Sequence, residues 1–595
     1  MQIVERLAKL REVMNDKKID FYIVPTADFH QSENAGDYFR SREFITGFTG
    51  SAGVAVITAE NAMLWTDGRY FLQAGMELEG TTVELMKMGE PGVPTIHEYL
   101  ESHIQEGQTL GVDGRVISVK QGNEYAKLVE EKGANLEINQ DLIDMVWEDR
   151  PEMSTEPAFA LDIKYAGEST VHKLERIREV MKAENADKHI VTSLDDVCWI
   201  LNIRGNDIEY YPLIFSYAVI TMDKMDLYMD ERKLDAAMKE SFAKDGIVIH
   251  PYFEIYEDIK KLEDGCRLLL DPDRLNYALY KGIPSNVIQI NKMNPEITFK
   301  AIKNEVELEN IRKAELKDAV AHVKFMKWLK ENVGTMKITE ISASKKLDAL
   351  RVEQGNFIRP SFEPISSCGE HGAIVHYTAS PESDKEVTLN TMLMTDTGAG
   401  FYEGSTDITR TYAFGEIPQI MKEHFTLVAI SHLRLAAAKF LKGCTGPHLD
   451  VIARQPFWDR GLNYNHGTGH GVGYLLNIHE DPCSISWRAR VAEDTILQSG
   501  MILTDEPGIY IEGSHGVRLE DELLVREGEK NEYGQFMYFE DLTYIPLDLD
   551  AIAPEIMTET DKQLLNNYHK DVYEKVSPYL DEEEKEWLKK YTRAI

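Results

Sequence analysis

Five side chains of the types that bind divalent metal ions lie in the last third of the sequence. They are Asp396, Asp407, His470, Glu506 and Glu520. Each lies in a short segment that is bounded by glycine and has the composition of a strand or a turn. Carboxylate and imidazole groups are common metal ligands. The rest of the chain is expected to be the scaffold that positions them.

The four carboxylates form two pairs with the same local pattern. The run MLMTDTGAGFYEGSTDITRTYAFG is typical of a hairpin, and a turn between Phe401 and Tyr402 would place Asp396 opposite Asp407. Their Cβ atoms would then lie roughly 5 Å apart. The run ILTDEPGIYIEGSHGVRLEDELLV repeats the arrangement, with Glu506 and Glu520 on either side of a turn near Gly513.

Opposed carboxylates repel and raise each other's pKa unless cations lie between them. Four carboxylates and one neutral imidazole balance about two divalent ions, which bridging carboxylates hold roughly 3.5 to 4 Å apart. The run HGTGHGVG offers His466 and His470, and its glycines favour a strand and loop over the helical HExxH pattern. One histidine is expected to bind metal and the other to lie near the substrate. A structural role is commoner for either hairpin pair alone and as common as a functional role for the histidine motif alone, whereas the combination favours a dinuclear site.

Composition and charge exclude several classes of protein. The 595 residues carry a formal charge of −36, from 65 basic and 101 acidic residues, which argues against nucleic-acid binding. The N-terminus predicts an amphipathic helix without a signal peptide, and no apolar run is long enough to span a membrane. The five cysteines are scattered without CxxC spacing, as is typical of reduced thiols in a cytoplasmic protein.

The first half of the chain contains an internal repeat. The strand AVIT occurs at residues 55–58 and again at 218–221, and each copy is followed at equal spacing by Asp and Arg. Two related α/β domains are therefore expected, over residues 1–155 and 156–303, since two copies are too few for a solenoid. The segment DRPEMSTEP near residues 150–160, with two prolines and acidic residues, marks one boundary, and NPEITFKAIKNEVE near residues 295–305 marks the other.

Helices are expected to frame the metal-type residues. Asn304 and Glu307 form a capping box for a long helix, and TEISASKKLDALRVEQ predicts a second. A third helix, LVAISHLRLAAAKFLKG, separates the two halves of the site. This domain is assigned residues 304–527, and a mostly helical C-terminal extension residues 528–595.

With these motifs, the chain resembles the three-domain Xaa-Pro aminopeptidases (aminopeptidase P) of the pita-bread metallopeptidase superfamily. The motifs that carry the resemblance cover nearly the whole length: YIVPTADFHQSE, FITGFTGSAG, WTDGRYFLQA, AIVHYTA, DTGAGFYEGSTDITRT, HGTGHGVGYLLNIHE, TDEPGIYIEGSHGVRLED and YFEDLTYIP. The implied fold class is α/β (α+β), with two creatinase-N-like domains before a pita-bread catalytic domain.

The resemblance also implies roles for individual residues. Two metal ions would be bound by Asp396, Asp407, His470, Glu506 and Glu520, with Asp407 and Glu520 bridging. Manganese is the metal usual in the family, while cobalt and zinc stay open. The family's substrate-side histidines match His376, His466 and His479, and Arg518 is expected to be structural or to lie behind the ligands.

The expected reaction is hydrolysis of the bond between an N-terminal residue and a following proline. A hydroxide bridging the metals would attack, Glu506 would accept the water's proton, and His376 or His479 would stabilise the oxyanion. The substrates are peptides with proline at the second position. The resemblance further suggests a homodimer. The net charge predicts that the protein binds no nucleic acid, the lack of a long apolar run predicts no membrane binding, and the scattered cysteines predict a cytoplasmic location.

Three alternatives share parts of this pattern. Prolidase has the same metal set but cleaves dipeptides, and the duplicated N-terminal domains and the FEDLT tail favour aminopeptidase P. Methionine aminopeptidases need none of the first 300 residues. Non-catalytic pita-bread modules, such as histone-chaperone domains, suit an acidic chain but lack the complete ligand set.

Overall fold

The computed structural model describes residues 2–595. Its contacts divide the chain into two compact units, one comprising the chain up to Leu161 together with Glu168–Glu296, and the other Asp162–Gly167 together with Ile297–Ile595. The first unit combines helices with mixed parallel and antiparallel sheets, and the second combines helices with antiparallel sheets, as the predicted α/β (α+β) class requires. Among the described residues, no helix combines the length and the apolar character that crossing a membrane demands.

The first unit contains two six-stranded sheets of the same topology. The first sheet has, in spatial order, strands Glu84–Lys87, Ala62–Thr66, Val54–Thr58, Phe21–Pro25, Thr109–Val112 and Asn135–Glu137. The second has, in the same order, Ile247–His250, Met225–Met229, Ser216–Thr221, Lys188–Val191, Arg267–Leu270 and Ile288–Asn291. The two AVIT strands occupy equivalent positions in these sheets, which confirms the repeat read from the sequence.

Helices cover these sheets and bury their apolar stripes. The N-terminal helix Ile3–Lys17 buries Leu7, Leu10 and Met14, whose spacing predicted that face. The main helices of the unit are Ile3–Lys17, Ser41–Thr46, Phe71–Glu77, Ile96–His103, Val119–Lys132, Thr170–Ala183, Leu194–Leu201, Ala236–Lys244 and Tyr277–Gly282. A small pair of strands, Phe159–Ala160 and Ile203–Arg204, completes it.

The second unit places several small sheets among long helices. Its sheets are formed by Phe357–Pro360, Ala399–Phe401 and Gly404–Ser405; by Ile365–Cys368, Thr391–Thr397 and Ile408–Phe414; by Lys439–Leu441, Gly534–Asp541, Asp521–Asn531, Ile502–Asp505, Gly469–Val472 and His479–Ile485; and by Gly508–Ile511 and His515–Arg518. Its main helices are Glu305–Asn332, Glu340–Glu353, Gln419–Ala436, Gly446–Trp458, Glu559–Val576 and Glu582–Tyr591.

Two of the predicted helices have the expected bounds, and one does not. The helix Glu305–Asn332 begins at the capping box of Asn304 and Glu307, as predicted. The helix Gln419–Ala436 ends before the predicted AKFLKG segment, where Lys439–Leu441 instead form an edge strand beside Gly534–Asp541. The prediction was wrong there because pairing in the tertiary structure outweighs the local helical preference of this segment.

The C-terminal helices pack into the core of the second unit. Leu565, Val572 and Leu588 are fully buried and belong to the same apolar cluster as Phe425 and Val428 of the helix Gln419–Ala436. This tail therefore stabilises the helix that lies behind the candidate site.

Candidate metal centre

The first carboxylate pair lies on two antiparallel strands, in a register that differs from the predicted one. Asp396 pairs with Thr409 rather than with Asp407, because the turn is formed by Tyr402 and Glu403, between Phe401 and Gly404. The observed register pairs Asp396 with a residue two positions further along the partner strand than predicted. Side chains two positions apart in a strand lie on the same face of the sheet. Asp407 therefore stays on the face of Asp396 at a diagonal position, just before the strand Ile408–Phe414.

The second pair has the predicted register. Asp505 pairs with Asp521 and Gly508 pairs with Arg518, so Glu506 and Glu520 occupy facing positions between these two pairings. Glu520 is almost completely buried, and its Oε2 accepts a hydrogen bond of 2.8 Å from Thr409 Oγ1. This bond joins the two carboxylate-bearing hairpins.

His470 brings an imidazole to the same place. It stands on the strand Gly469–Val472, with Nε2 at 3.4 Å from Asp407 Oδ2 and 3.7 Å from Glu506 Oε1. A Cβ on Gly469 would lie 1.8 Å from Thr504 O, and one on Gly471 would lie 2.3 Å from Glu480 O. The glycines on either side of His470 therefore let the strand insert between its neighbours, and the predicted strand is confirmed.

The structure gathers these side chains into one acidic cluster. Ligand atoms of Asp407, His470 and Glu520 all lie within 4.8 Å of one another. Burial and the charges of neighbouring carboxylates raise the pKa of Glu520 well above its ordinary value, and burial is also the main reason that the pKa of Glu506 is raised to about 7. Although burial opposes it, interaction with Asp407 raises the pKa of His470 to about 9.

The donor set fits two divalent cations. Asp396 Oδ1 is buried and accepts no hydrogen bond, so it is an available ligand atom beside the cluster. The concentration of buried negative charge, seen in the raised pKa of Glu520, is what bound cations relieve. Four carboxylates and one imidazole suit oxygen-preferring metals such as manganese, and zinc or cobalt could also be bound.

The three histidines predicted for the substrate side lie in different relations to the cluster. His466 has Nδ1 at 3.9 Å from Glu506 Oε2, and its Nε2 lies 2.8 Å from the Tyr510 hydroxyl. The ring of His479 lies with its centroid 4.2 Å from that of His470. His376 directly follows Val375, whose carbonyl accepts a hydrogen bond of 3.2 Å from Arg518 Nη2. His466 and His479 therefore lie against residues of the cluster, while for His376 it is the preceding residue that is bonded to Arg518.

Two buried charged residues behind the ligands were missed in the sequence. His432 lies with Nδ1 at 3.2 Å from Asp505 Oδ2 and with Nε2 at 3.2 Å from Asp521 Oδ2. Arg410 donates a 2.6 Å hydrogen bond from Nη2 to Asp521 Oδ1. Asp505 precedes Glu506 and Asp521 follows Glu520, so these contacts hold both ligand strands from behind. A histidine within the apolar run LVAISHLRL was the available signal, but its partners lie far away in sequence.

Comparison with known proteins gives profile matches along nearly the whole chain. Profiles of the Creatinase/Prolidase N-terminal domain match residues 6–145 and 149–307. The profile of Metallopeptidase family M24 matches residues 309–527, and that of the C-terminal region of peptidase_M24 matches residues 535–595.

Two relatives of similar length are named for the same activity. A probable Xaa-Pro aminopeptidase P of Laccaria bicolor is 38% identical over 600 residues, 98% of this chain and 92% of the relative. Xaa-Pro aminopeptidase 1 of Dictyostelium discoideum is 37% identical over 613 residues, 100% of this chain and 97% of the relative.

A solved structure extends the likeness to the fold. X-prolyl aminopeptidase of Caenorhabditis elegans, described as a cytosolic enzyme with a di-nuclear active site, has a TM-score of 0.95 and 34% identity, covering 100% of both chains. Xaa-Pro dipeptidase of Bacillus anthracis matches only 64% of this chain, although 99% of its own, with a TM-score of 0.50 and 26% identity. The chain belongs to metallopeptidase family M24 and, within it, to the three-domain Xaa-Pro aminopeptidases.

Proposed function

We propose that this protein removes the N-terminal residue from peptides whose second residue is proline, using two divalent metal ions. The convergence of Asp407, His470 and Glu520 within 4.8 Å carries the proposal. The whole-length relatives supply the substrate class, because they are named for the Xaa-Pro bond. The prolidase alternative is less favoured because the dipeptidase match leaves about a third of this chain uncovered.

Asp396, Asp407, His470, Glu506 and Glu520 would hold the two ions, and manganese is the expected metal. When bound, such a pair of ions supplies a Lewis acid and a hydroxide nucleophile at neutral pH. The distances from His470 Nε2 to Asp407 Oδ2 and Glu506 Oε1, 3.4 and 3.7 Å, support this assignment.

The surrounding residues are proposed to bind the peptide and move protons. Glu506 is the proposed acceptor of the water's proton. His376 and His479 are proposed to stabilise the negative charge that develops on the scissile carbonyl oxygen. His466 would contact the peptide beside Glu506. Proline's ring nitrogen must gain a proton to leave, and it carries no amide hydrogen of its own.

The domain bounds, the location and the assembly stay predictions of the sequence. We propose a cytoplasmic location because the Caenorhabditis elegans enzyme is described as cytosolic. A homodimer is proposed from the family resemblance alone. Sedimentation of the purified protein at micromolar concentration tests it, and a purely monomeric species would contradict it.

The activity is tested with three peptides at added manganese. Release of the first residue from Xaa-Pro-Yaa is expected to be rapid, and release from Xaa-Ala-Yaa at least about a hundredfold slower. The dipeptide Xaa-Pro distinguishes the proposed aminopeptidase from a prolidase, since preferential cleavage of the dipeptide would favour a prolidase. A protein with two bound metals that cleaves none of the three would contradict the proposed function.

A further inference from the structure

A buried carboxylate lies at the centre of the loop that carries His376. Glu340 is the first residue of the helix Glu340–Glu353 and has no exposed surface. Its Oε1 accepts hydrogen bonds from Cys368 N at 2.7 Å and from His371 Nδ1 at 2.9 Å. Its Oε2 accepts from the Tyr377 hydroxyl at 2.9 Å and from Lys385 N at 3.1 Å. A single side chain thus joins both ends and the middle of residues 369–385, here called the His376 loop.

These contacts need a carboxylate at that position. The backbone N–H groups of Cys368 and Lys385 donate to different oxygens of Glu340, so both oxygens of this side chain act as acceptors. The N-terminal end of a helix also favours negative charge. A glutamine would present an amide hydrogen to at least one of these donors and leave it without an acceptor.

The other side of the His376 loop is fixed against the metal-binding hairpin. Arg518 Nη2 donates to Val375 O at 3.2 Å and to Asp396 Oδ2 at 2.6 Å. Gly372 and Gly516 meet backbone to backbone, since a Cβ on Gly516 would lie 1.6 Å from Gly372 O. His376 therefore lies between two anchored neighbours, Val375 and Tyr377.

We propose that Glu340 is a positioning residue for peptide binding, which acts through Tyr377 to hold His376 toward the metal centre. The inference rests on the proposed function, because it assumes that His376 meets the peptide. Glu340 itself does not touch the substrate. Its contribution is the placement of the His376 loop, so its loss is expected to weaken peptide binding more than metal binding.

The test uses two variants of different severity in the full-length, manganese-loaded protein. Tyr377→Phe keeps the ring and removes the hydroxyl, which lies 2.9 Å from Glu340 Oε2, 2.9 Å from Ser383 Oγ and 3.2 Å from Ser383 O. It is expected to raise KM for Xaa-Pro-Yaa roughly three- to tenfold. Glu340→Gln leaves at least one of the backbone donors without an acceptor and is expected to raise KM further. Both variants are expected to keep two metals per chain. If Glu340→Gln does not fold, Tyr377→Phe alone decides the question.

A matched control separates positioning from general stability. Tyr591 donates a hydrogen bond of 3.0 Å to Asp550 Oδ2 and is also almost fully buried. Tyr591→Phe thus removes a comparable bond outside the His376 loop, and its KM is expected to be unchanged. In a His376→Ala background, Tyr377→Phe is expected to change KM less than twofold, because coupled residues are not additive.

Hydrogen exchange distinguishes failure of this inference from failure of the proposed function. Faster exchange confined to residues 369–385 in Tyr377→Phe, and absent in Tyr591→Phe, supports the anchoring even if the wild type cleaves no Pro peptide. An unchanged KM with unchanged exchange would overturn the inference. An equal rise of KM with and without His376 would also overturn it, because the effect would not pass through that residue.

Discussion

Arg518 donates two hydrogen bonds, from Nε at 3.1 Å and from Nη2 at 2.6 Å, to the same carboxylate oxygen of Asp396, Oδ2. The other oxygen of Asp396, Oδ1, is buried and accepts none. One oxygen is thereby held by the protein while the other stays available for a metal ion. Residues that orient metal ligands in this way commonly affect metal affinity as strongly as they affect structure.

Arg518→Lys is accordingly expected to lower metal affinity by roughly 10- to 100-fold. A lysine keeps the charge, but its single nitrogen cannot span Asp396 Oδ2, the Tyr510 hydroxyl and Val375 O as the guanidinium does. Manganese titration of the chelated protein measures the effect. Arg526→Lys, in the neighbouring strand, is the matched control, and equal affinities in both variants would contradict the role given to Arg518.

Asp407→Asn is expected to remove one of the two metals and to lower kcat by several orders of magnitude. The amide keeps the shape of the side chain but not the charge that a shared ligand supplies. Metal analysis and the Xaa-Pro-Yaa assay measure both effects, with the exposed Asp459→Asn as control. A fully active variant that retains two metals would show that Asp407 is not a required ligand.

Removal of metal is expected to destabilise the protein more at high pH than at low pH. Burial is the main cause that raises the pKa of Glu506 from its ordinary 4.5 to about 7, so the folded, metal-free state binds this proton more tightly than the unfolded state. The stability that this protonated carboxyl group contributes to the metal-free protein is complete below pH 4.5 and is lost as pH rises through about 7. The fall in Tm on chelation is therefore expected to be larger at pH 8 than at pH 5.

Glu506→Gln provides the comparison for this measurement. The variant lacks the titrating group, so the difference between the two pH values is expected to shrink in it. A chelation effect that is equal at pH 5 and pH 8 in the wild type would contradict the assigned direction of the Glu506 shift.

Gly516→Ala is expected to destabilise the protein by about 1 to 3 kcal/mol and to raise KM. The added Cβ would lie 1.6 Å from the carbonyl oxygen of Gly372, and backbone cannot yield as a flexible side chain does. Thermal unfolding and the tripeptide assay report the two effects. Gly75→Ala is the control, because no atom lies within 4 Å of its Cβ position. A stable Gly516→Ala variant with normal KM would show that the close approach is not needed.

Protonation of His569 is expected to lower the stability of the protein in acid. Burial, followed by the charge of Arg410, lowers the pKa of His569 from 6.5 to about 3, and its Nε2 accepts a 3.1 Å hydrogen bond from Leu547 N. The unfolded state therefore takes up the proton first as pH falls, so stability is lost between pH 6.5 and about 3. The loss at pH 5 is expected to be about 2 kcal/mol.

Glutamine at this position keeps an acceptor for Leu547 N and does not titrate. His569→Gln is thus expected to show a smaller fall in Tm between pH 8 and pH 5 than the wild type. The exposed His97→Gln serves as control, and an equal fall in all three proteins would assign the acid sensitivity to other groups.

The sequence by itself determined the local features of the fold and predicted the membership of the site. The AVIT repeat, the capping box of Asn304 and Glu307, and the turn near Gly513 all depend on neighbours within a few residues, and the structure has each of them. The five metal-type residues were recognisable because each stands in a distinctive short motif. Those motifs gather in the same unit of the structure.

Only the tertiary structure decided the register of the first hairpin and the contacts behind the ligands. Several two-residue turns are compatible with GAGFYEGS, and pairing of Phe401 with Gly404 selected the one in which Asp396 faces Thr409. The buried partners of His432 and the four donors around Glu340 come from segments far apart in the chain. Such contacts depend on which faces of the helices and strands pack together. That packing cannot be deduced from the spacing of residues within a short segment.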